Sequence, residues 1–260
     1  MPDRRNALIQ NAFIQKVPTQ RLAPRPPCTD DPLNAAFAAS TLSRLPVPAL
    51  ERVLAGSRPV QVSARALTHH EGEARPHLEL VVEGVVRVFV SAADGRSMTV
   101  RYCRPGSLIG VMSLFADDFR MPAYTQALTD TRLLRLVPST VSHAAQDDGE
   151  IAVALLREVS EAARQFVHEI PGSVFTTVRQ RVARHLLDLA SEGPSLATSG
   201  ACEPMTVLVS QSDLADAVGS VREVVVRALS ELRECGVVRT HRCHIEILDP
   251  VRLSREQAGT

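Results

Sequence analysis

Hydrophobic and polar positions change their spacing several times along the 260 residues. The first thirty-three residues hold no sustained pattern. Arg, Gln and Asn alternate there with Pro18, Pro24, Pro26 and Pro27. Repeated proline removes backbone donors, so residues 1–33 are expected to form an unstructured leader. A helical pattern then runs from Asn34 to Leu54, with Leu42, Leu45, Leu50 and Leu54 as its buried positions. Between about Val60 and Leu136 the spacing becomes that of short strands. The β-branched run Leu78–Val90 is broken by Glu83-Gly84, Asp94-Gly95 precedes Ser97–Tyr102, and Pro105-Gly106 leads on to a further strand at Arg132–Val137. Closely spaced strands of this kind predict a compact all-β barrel or sandwich.

Helical spacing returns from about Gly149. Ile151, Leu155, Val159, Ala162, Phe166 and Ile170 recur at threes and fours and make one apolar stripe. The stripe is read as a dimer seam, with packing of the helix on its own β-domain as the alternative, and the two readings are compatible. Pro171-Gly172 is expected to stop this helix, and a second is expected over Ser173–Ser191. Glu192 to Pro204, rich in Gly, Ser and Pro, reads as a loop.

The segment Val209–Leu232 reads VSQSDLADAVGSVREVVVRALSEL. Ser210 is placed to cap a short helix, with Asp213 three residues on, where an acid favours a helix N-terminus. Leu214, Ala217 and Val218 face inward. Gly219 supplies a tight turn, and a longer helix follows with Val224, Val225, Ala228, Leu229 and Leu232 on its buried side. Two helices joined by a short glycine-containing turn form a helix-turn-helix, whose second helix enters the major groove. Arg222, Glu223 and Arg227 stand exposed at the start of that helix. Arg pairs bidentately with guanine, and Glu accepts from cytosine. Val237–Thr240 and His244–Leu248 predict a β-wing with His241 and Arg242 at its tip. Ser210, Gln211, His241 and Arg242 are candidates for contact with the DNA backbone.

Charge alone does not point to DNA. The chain has a formal net charge of zero, and Thr206–Pro250 holds five Arg against seven acidic residues, so any affinity must be local. Five Cys without a close pair argue against a disulfide scaffold and for a reducing compartment. The first residues hold no apolar run suited to a signal peptide, and no stretch is long enough to span a bilayer, so a cytoplasmic protein with no membrane partner is expected.

The nonapeptide Gly219–Arg227 (GSVREVVVR) resembles the recognition helix of the Crp/Fnr family of bacterial transcription regulators, and the order of parts is similar over about residues 45–250. The resemblance implies an α+β protein: a jelly-roll-like, cyclic-nucleotide-binding-like β-roll sensor over 34–146, a dimerisation helix over 147–171 and a winged helix-turn-helix over 172–260. Arg222, Glu223 and Arg227 would read a TGTGA-like half-site. Double-stranded DNA, a second copy of the chain and RNA polymerase are the implied partners. Gly106–Ala127 resembles the family's phosphate-binding cassette, with Gly110 as its glycine. Val111 stands where the resemblance implies a ribose-binding Glu, and Met121 and Pro122 where it implies the phosphate-binding Arg and its hydroxyl neighbour. A buried phosphate without a cation is heavily penalised, so cyclic AMP is not expected to act in the usual way. Arg120 lies one residue off, and on an extended segment it faces opposite to Met121. Gly110, Val111, Met112, Arg120, Met121 and Pro122 remain the candidate effector pocket, with either no ligand or an apolar guest preferred to an anion.

No cofactor is expected. Only Cys28 and Cys103 lie in the sensor half, too few for an iron–sulfur cluster. Cys235, His241, Cys243 and His244 suggest a metal on paper, but adjacent strand residues such as Cys243 and His244 point to opposite faces, and no metal site is assigned. His69, His70 and His77 read as solvated surface groups. The absence of GxSxG, HExxH, P-loop and paired-carboxylate motifs argues against an enzyme. The competing function is a small-molecule-binding β-roll whose winged domain mediates protein contacts.

Overall fold

The computed structural model describes residues 2–14, 32–174, 176–190, 205–241 and 244–258. By internal contacts the chain divides into two compact units, one of residues 1–88 and 101–165 and the other of 89–100 and 166–260.

Strands dominate the first unit, although the hairpin tip over 89–100 belongs to the second. Two four-stranded sheets form from β1 (Arg58–Val62), β2 (Leu67–His69), β3 (Leu78–Glu83), β4 (Val86–Ser91), β5 (Ser97–Cys103), β6 (Leu108–Ile109), β7 (Tyr124–Ala127) and β8 (Thr131–Leu136). Their orders are β1-β8-β3-β6 and β2-β7-β4-β5. Antiparallel β3 and β8 pair Leu80 with Leu134, and alternation along them sorts the side chains into two cores. Leu78, Leu80, Leu134 and Leu136 pack with the helices. Val81 and Leu133 pack instead with Val86, Cys103, Ile109 and Met121.

The helices of the first core are α1 (Pro2–Ile14), α2 (Pro32–Ala39), α3 (Val47–Leu54), α4 (Pro138–Asp147) and the beginning of α5 (Gly149–Val174). The expected helical pattern over Asn34–Leu54 is two helices and a 3-10 turn at Thr41–Arg44, with Pro46 and Pro48 at the start of α3, where a missing amide costs no ladder bond.

The leader departs from expectation. Pro2–Ile14 is helical, Ile9 is buried in the first core, and Arg5 donates to the carbonyls of Leu42 and Ser43. The leader's prolines cluster from Pro18 onward, so none interrupts the interior of this helix. Residues 15–31 of the leader and the expected loop over 192–204 lie outside the described residues. Helix α5 also runs past Pro171-Gly172 to Val174, because a proline removes one ladder bond without obliging the helix to end.

The second unit contains α6 (Val178–Ala190), α7 (Gln211–Ala217), α8 (Arg222–Glu234), α9 (Pro250–Ala258) and the sheet β10-β11-β9, from Met205–Val207 (β9), Val238–Thr240 (β10) and Ile245–Ile247 (β11). Val182, Leu186, Leu214, Val225, Leu229, Leu232, Ile245 and Leu253 close one core. Arg179 ties α6 to Glu231 of α8 and Glu256 of α9.

Candidate nucleic-acid interface and the β-roll interior

The short helix α7 begins as its sequence dictates. Ser210 Oγ accepts from the Asp213 amide (3.1 Å) and donates to the Asp213 carboxylate (2.6 Å), so the two residues close the helix N-terminus between them. Gly219 makes the turn at φ +66°, a left-handed conformation that other residues adopt only with strain. Arg181 Nε donates to Val218 O (2.9 Å) and holds the turn from α6. On the other side, Ser97 Oγ donates to Asp216 O (3.1 Å) and Met98 forms a β-bridge with Val218.

Beyond this turn, Arg222, Glu223 and Arg227 are all exposed on the first two turns of α8. Among the described residues, none of the three is hydrogen-bonded or ion-paired through its side chain. Their spacing on a helix puts Glu223 and Arg227 on one face and Arg222 beside them. Ser210 and Gln211 are partly exposed at the start of α7, and His241 is exposed on the wing. Arg242 lies outside the described residues.

The β-roll treats its charges in the opposite way. Glu79 is fully buried and accepts from Arg135 Nε (2.9 Å) and Nη2 (2.6 Å). His69 is fully buried as well, its Nδ1 2.8 Å from Thr125 Oγ1 and its Nε2 2.8 Å from the His77 carbonyl. Only His70 of the expected surface histidines is exposed, since alternation along β2 turns its neighbour inward. Burial, followed by the Arg135 charge, lowers the pKa of His77. Glu158 of α5 is buried too, and accepts from Arg101 (2.8 Å) and the Leu108 amide (3.2 Å). Burial raises the pKa of the Cys103 thiol beside them, so it stays protonated and packs as an apolar group.

The candidate effector residues do not come together as one pocket. Val111 belongs to the helix-side core and Met121 to the core that includes Val86 and Cys103. Met112 and Pro122 are exposed. Gly110 is at φ +87°, where an added Cβ would sit 2.4 Å from the His77 carbonyl oxygen, so no larger residue fits. Arg120 is exposed and donates to Gly72 O (3.2 Å), facing away from buried Met121. Of these six, only Arg120 lines an open cleft of about 830 Å³ that also involves Arg75, His77, Asp117, Asp118 and Phe119.

Comparison with known proteins gives this architecture its place. A cyclic nucleotide-binding domain matches residues 59–148, and a Crp-like helix-turn-helix domain matches 180–256. Transcriptional regulator LdrP of Thermus thermophilus is 32% identical over 185 residues, which is 71% of this chain and 89% of that protein. The chain belongs to the Crp/Fnr family. A CRP-like cAMP-activated global transcriptional regulator of Mycobacterium tuberculosis is 29% identical over 71% of this chain and 81% of its own length. The crystal structure of a CRP/FNR-family transcriptional regulator, also from Thermus thermophilus, matches with a TM-score of 0.63 at 26% identity, covering 77% of this chain and 98% of that one. These Crp/Fnr relatives are transcription regulators, not enzymes. Among the described residues of this family member, no helix is long and apolar enough to cross a membrane.

The expected dimer stripe needs a correction within this Crp/Fnr frame. Ile151 and Leu155 are fully buried in the first unit's own core, and Val159 packs against it, so the alternative reading of the helix holds for them. Ala162 is partly buried and Phe166 exposed, while the Ile170 side chain lies outside the described residues. A second stripe escaped the sequence reading: Val153, Leu156, Ser160, Ala163 and Val167 are all exposed. Their alternating spacing of three and four is that of a coiled-coil seam. The buried network around Glu79 was also missed, because a lone acid inside an apolar strand is visible only once its partner on β8 is known.

Proposed function

We propose that this chain is a sequence-specific DNA-binding transcription regulator that acts as a homodimer on an inverted repeat. The observation that carries the reading is the set of exposed Arg222, Glu223 and Arg227 on the first turns of α8, without a side-chain partner among the described residues. In the major groove, two guanidinium forks donate to guanine O6 and N7, and the carboxylate accepts from cytosine N4. That donor and acceptor set suits a TGTGA-like half-site. The N-terminal end of α7 and the wing would contact phosphates and fix the register without choosing bases.

The exposed 153/156/160/163/167 stripe supports a two-fold assembly, because a monomer would leave Val153, Leu156 and Val167 in water. Two recognition helices related by that symmetry would read half-sites one helical turn, about 34 Å, apart. Cyclic AMP is not the effector on this reading. Its phosphate needs a cation inside the roll, where Met121 is packed among aliphatic side chains and Arg120 points outward.

Selection of sites from random DNA in the presence of competitor tests the proposal. The expected outcome is a short inverted repeat, bound equally with and without cyclic AMP. Leu156→Asp should leave a folded monomer by light scattering with a large loss of affinity for that repeat. No enrichment of any sequence would favour the competing reading, in which the winged unit contacts protein.

A further inference from the structure

The wing hairpin brings together a second group of side chains, of which the proposed DNA reading uses only His241, as a phosphate contact. Thr240 pairs with Ile245 and Arg239 with Glu246, and the His241 amide donates to the His244 carbonyl (2.9 Å), so His241 and His244 form the next rung. Alternation along both strands then places Arg239, His241, His244 and Glu246 on one face. The opposite face, with Val238, Ile245 and Ile247, is buried in the unit's core. The four polar residues therefore stand together on the outer side.

Glu246 Oε1 lies 3.3 Å from His241 Nε2 and 3.7 Å from His244 Nε2. One ligand atom from each of the three residues lies within 4.8 Å of the others. The imidazole rings are stacked, with centroids 4.2 Å apart. Arg239 holds the other carboxylate oxygen of Glu246 (3.0 Å), which leaves Oε1 turned toward the two rings. Such an outer partner orients a ligand carboxylate.

We propose that the wing carries a binding site for a divalent transition ion of the Zn²⁺ type, formed by His241, His244 and Glu246. Two imidazole nitrogens and a carboxylate oxygen are the donor set that selects such ions over Mg²⁺ or Ca²⁺. Ligands about 2.0–2.1 Å from a tetrahedral zinc lie about 3.3 Å from one another, so the His241–Glu246 spacing already fits. The two rings must turn out of their stacked arrangement on binding, because an imidazole holds a metal in its own plane. The fourth position would hold water. The ion would clamp the end of β10 to β11 and add a dication to the outer face of the wing. The adjacency of Cys243 and His244 does not count against this trio, which takes its ligands from alternate and opposed positions.

Calorimetric titration of the full chain with Zn²⁺ tests the site, alongside Co²⁺ as a spectroscopic probe. We expect one ion per chain at this site and a cobalt spectrum without the intense charge-transfer absorption of thiolate ligation. His241→Ala, His244→Ala and Glu246→Gln should each weaken binding at least about tenfold, the least that even an outer-shell partner costs. Circular dichroism of the metal-free variants should match the parent, because all three side chains lie off the core. Equal binding by parent and variants, a thiolate spectrum, or no binding by the folded parent would each overturn the proposal.

Discussion

The β-roll and the winged unit handle charge in opposite ways. In the roll, Arg135 pairs with one carboxylate oxygen of buried Glu79, and Glu158 takes both Arg101 and a backbone amide. In the winged unit, Arg222, Glu223 and Arg227 are left exposed without a partner among the described residues. A charge that is satisfied inside the fold serves the fold. One held at the surface by a rigid helix and left unsatisfied is available to something else. On the proposed reading, the exposed triplet serves DNA, whereas Met121, next to Arg120, serves only packing in the roll.

The largest effect is expected at the buried pair. Arg135→Ala would strand the Glu79 carboxylate and should destabilise the roll by about 3–5 kcal/mol. Thermal unfolding followed through Tyr102 and Tyr124, both in the first unit, would show it. Glu79→Leu combined with Arg135→Met should recover most of the loss. Failure of the single variant to lower the melting temperature would mean that the pair contributes little.

Arg222→Ala and Arg227→Ala should do the reverse. Each is expected to cost about 1–3 kcal/mol in affinity for the selected site while leaving the melting temperature alone. Binding assays at fixed salt would measure the first and calorimetry the second. Unchanged affinity in both variants would remove α8 from the interface.

Among the described residues of the winged unit, Arg184 and His185 are buried side by side on α6, and His185 marks where the contrast stops. His185 is held neutral by burial, then by the nearby Arg184 and Arg181, with its pKa lowered to about 3. The unfolded chain takes up a proton near the ordinary value of 6.5, so protons favour unfolding. Stability of this unit should therefore fall as pH drops from about 6.5 toward about 3, by up to ~1.4 kcal/mol per pH unit. Hydrogen exchange of α6 and α8 amides across that range would detect it, and His185→Leu should remove this contribution to the slope.

The smallest effect concerns Ser210. Its replacement by Ala removes the α7 cap and should cost about 1 kcal/mol, read as a lower denaturation midpoint of the winged unit. Ser210→Asp should restore most of it, because an aspartate accepts the same amide hydrogen bond.

Much of this was legible in the sequence where a local rule decides the outcome. The strands around Glu83-Gly84 and Asp94-Gly95, the Ser210 cap and the Gly219 turn each rest on contacts within a few residues. What was misread depends on distant partners. Ile151 and Leu155 follow the same helical period whether they face a second copy or their own core, and only the fold shows that Val153 and Leu156 are the exposed pair. His69 looks polar beside His70, yet its burial depends on Thr125 from a distant strand. The leader was judged by prolines that begin only after Ile14. The candidate pocket failed to assemble because Val111 and Met121, ten residues apart in the cassette, enter different cores.

The engagement of three cations of the winged unit has a kinetic consequence. Arg179, Arg181 and Arg239 are committed to Glu231 and Glu256, to backbone carbonyls and to Glu246 respectively. Sequence-independent attraction to DNA scales with the number of phosphates neutralised, so each cation engaged inside the unit is one fewer to hold random duplex. On the proposed reading, the protein would dwell only briefly on the wrong sequence and would search a chromosome by repeated short visits more than by long sliding excursions.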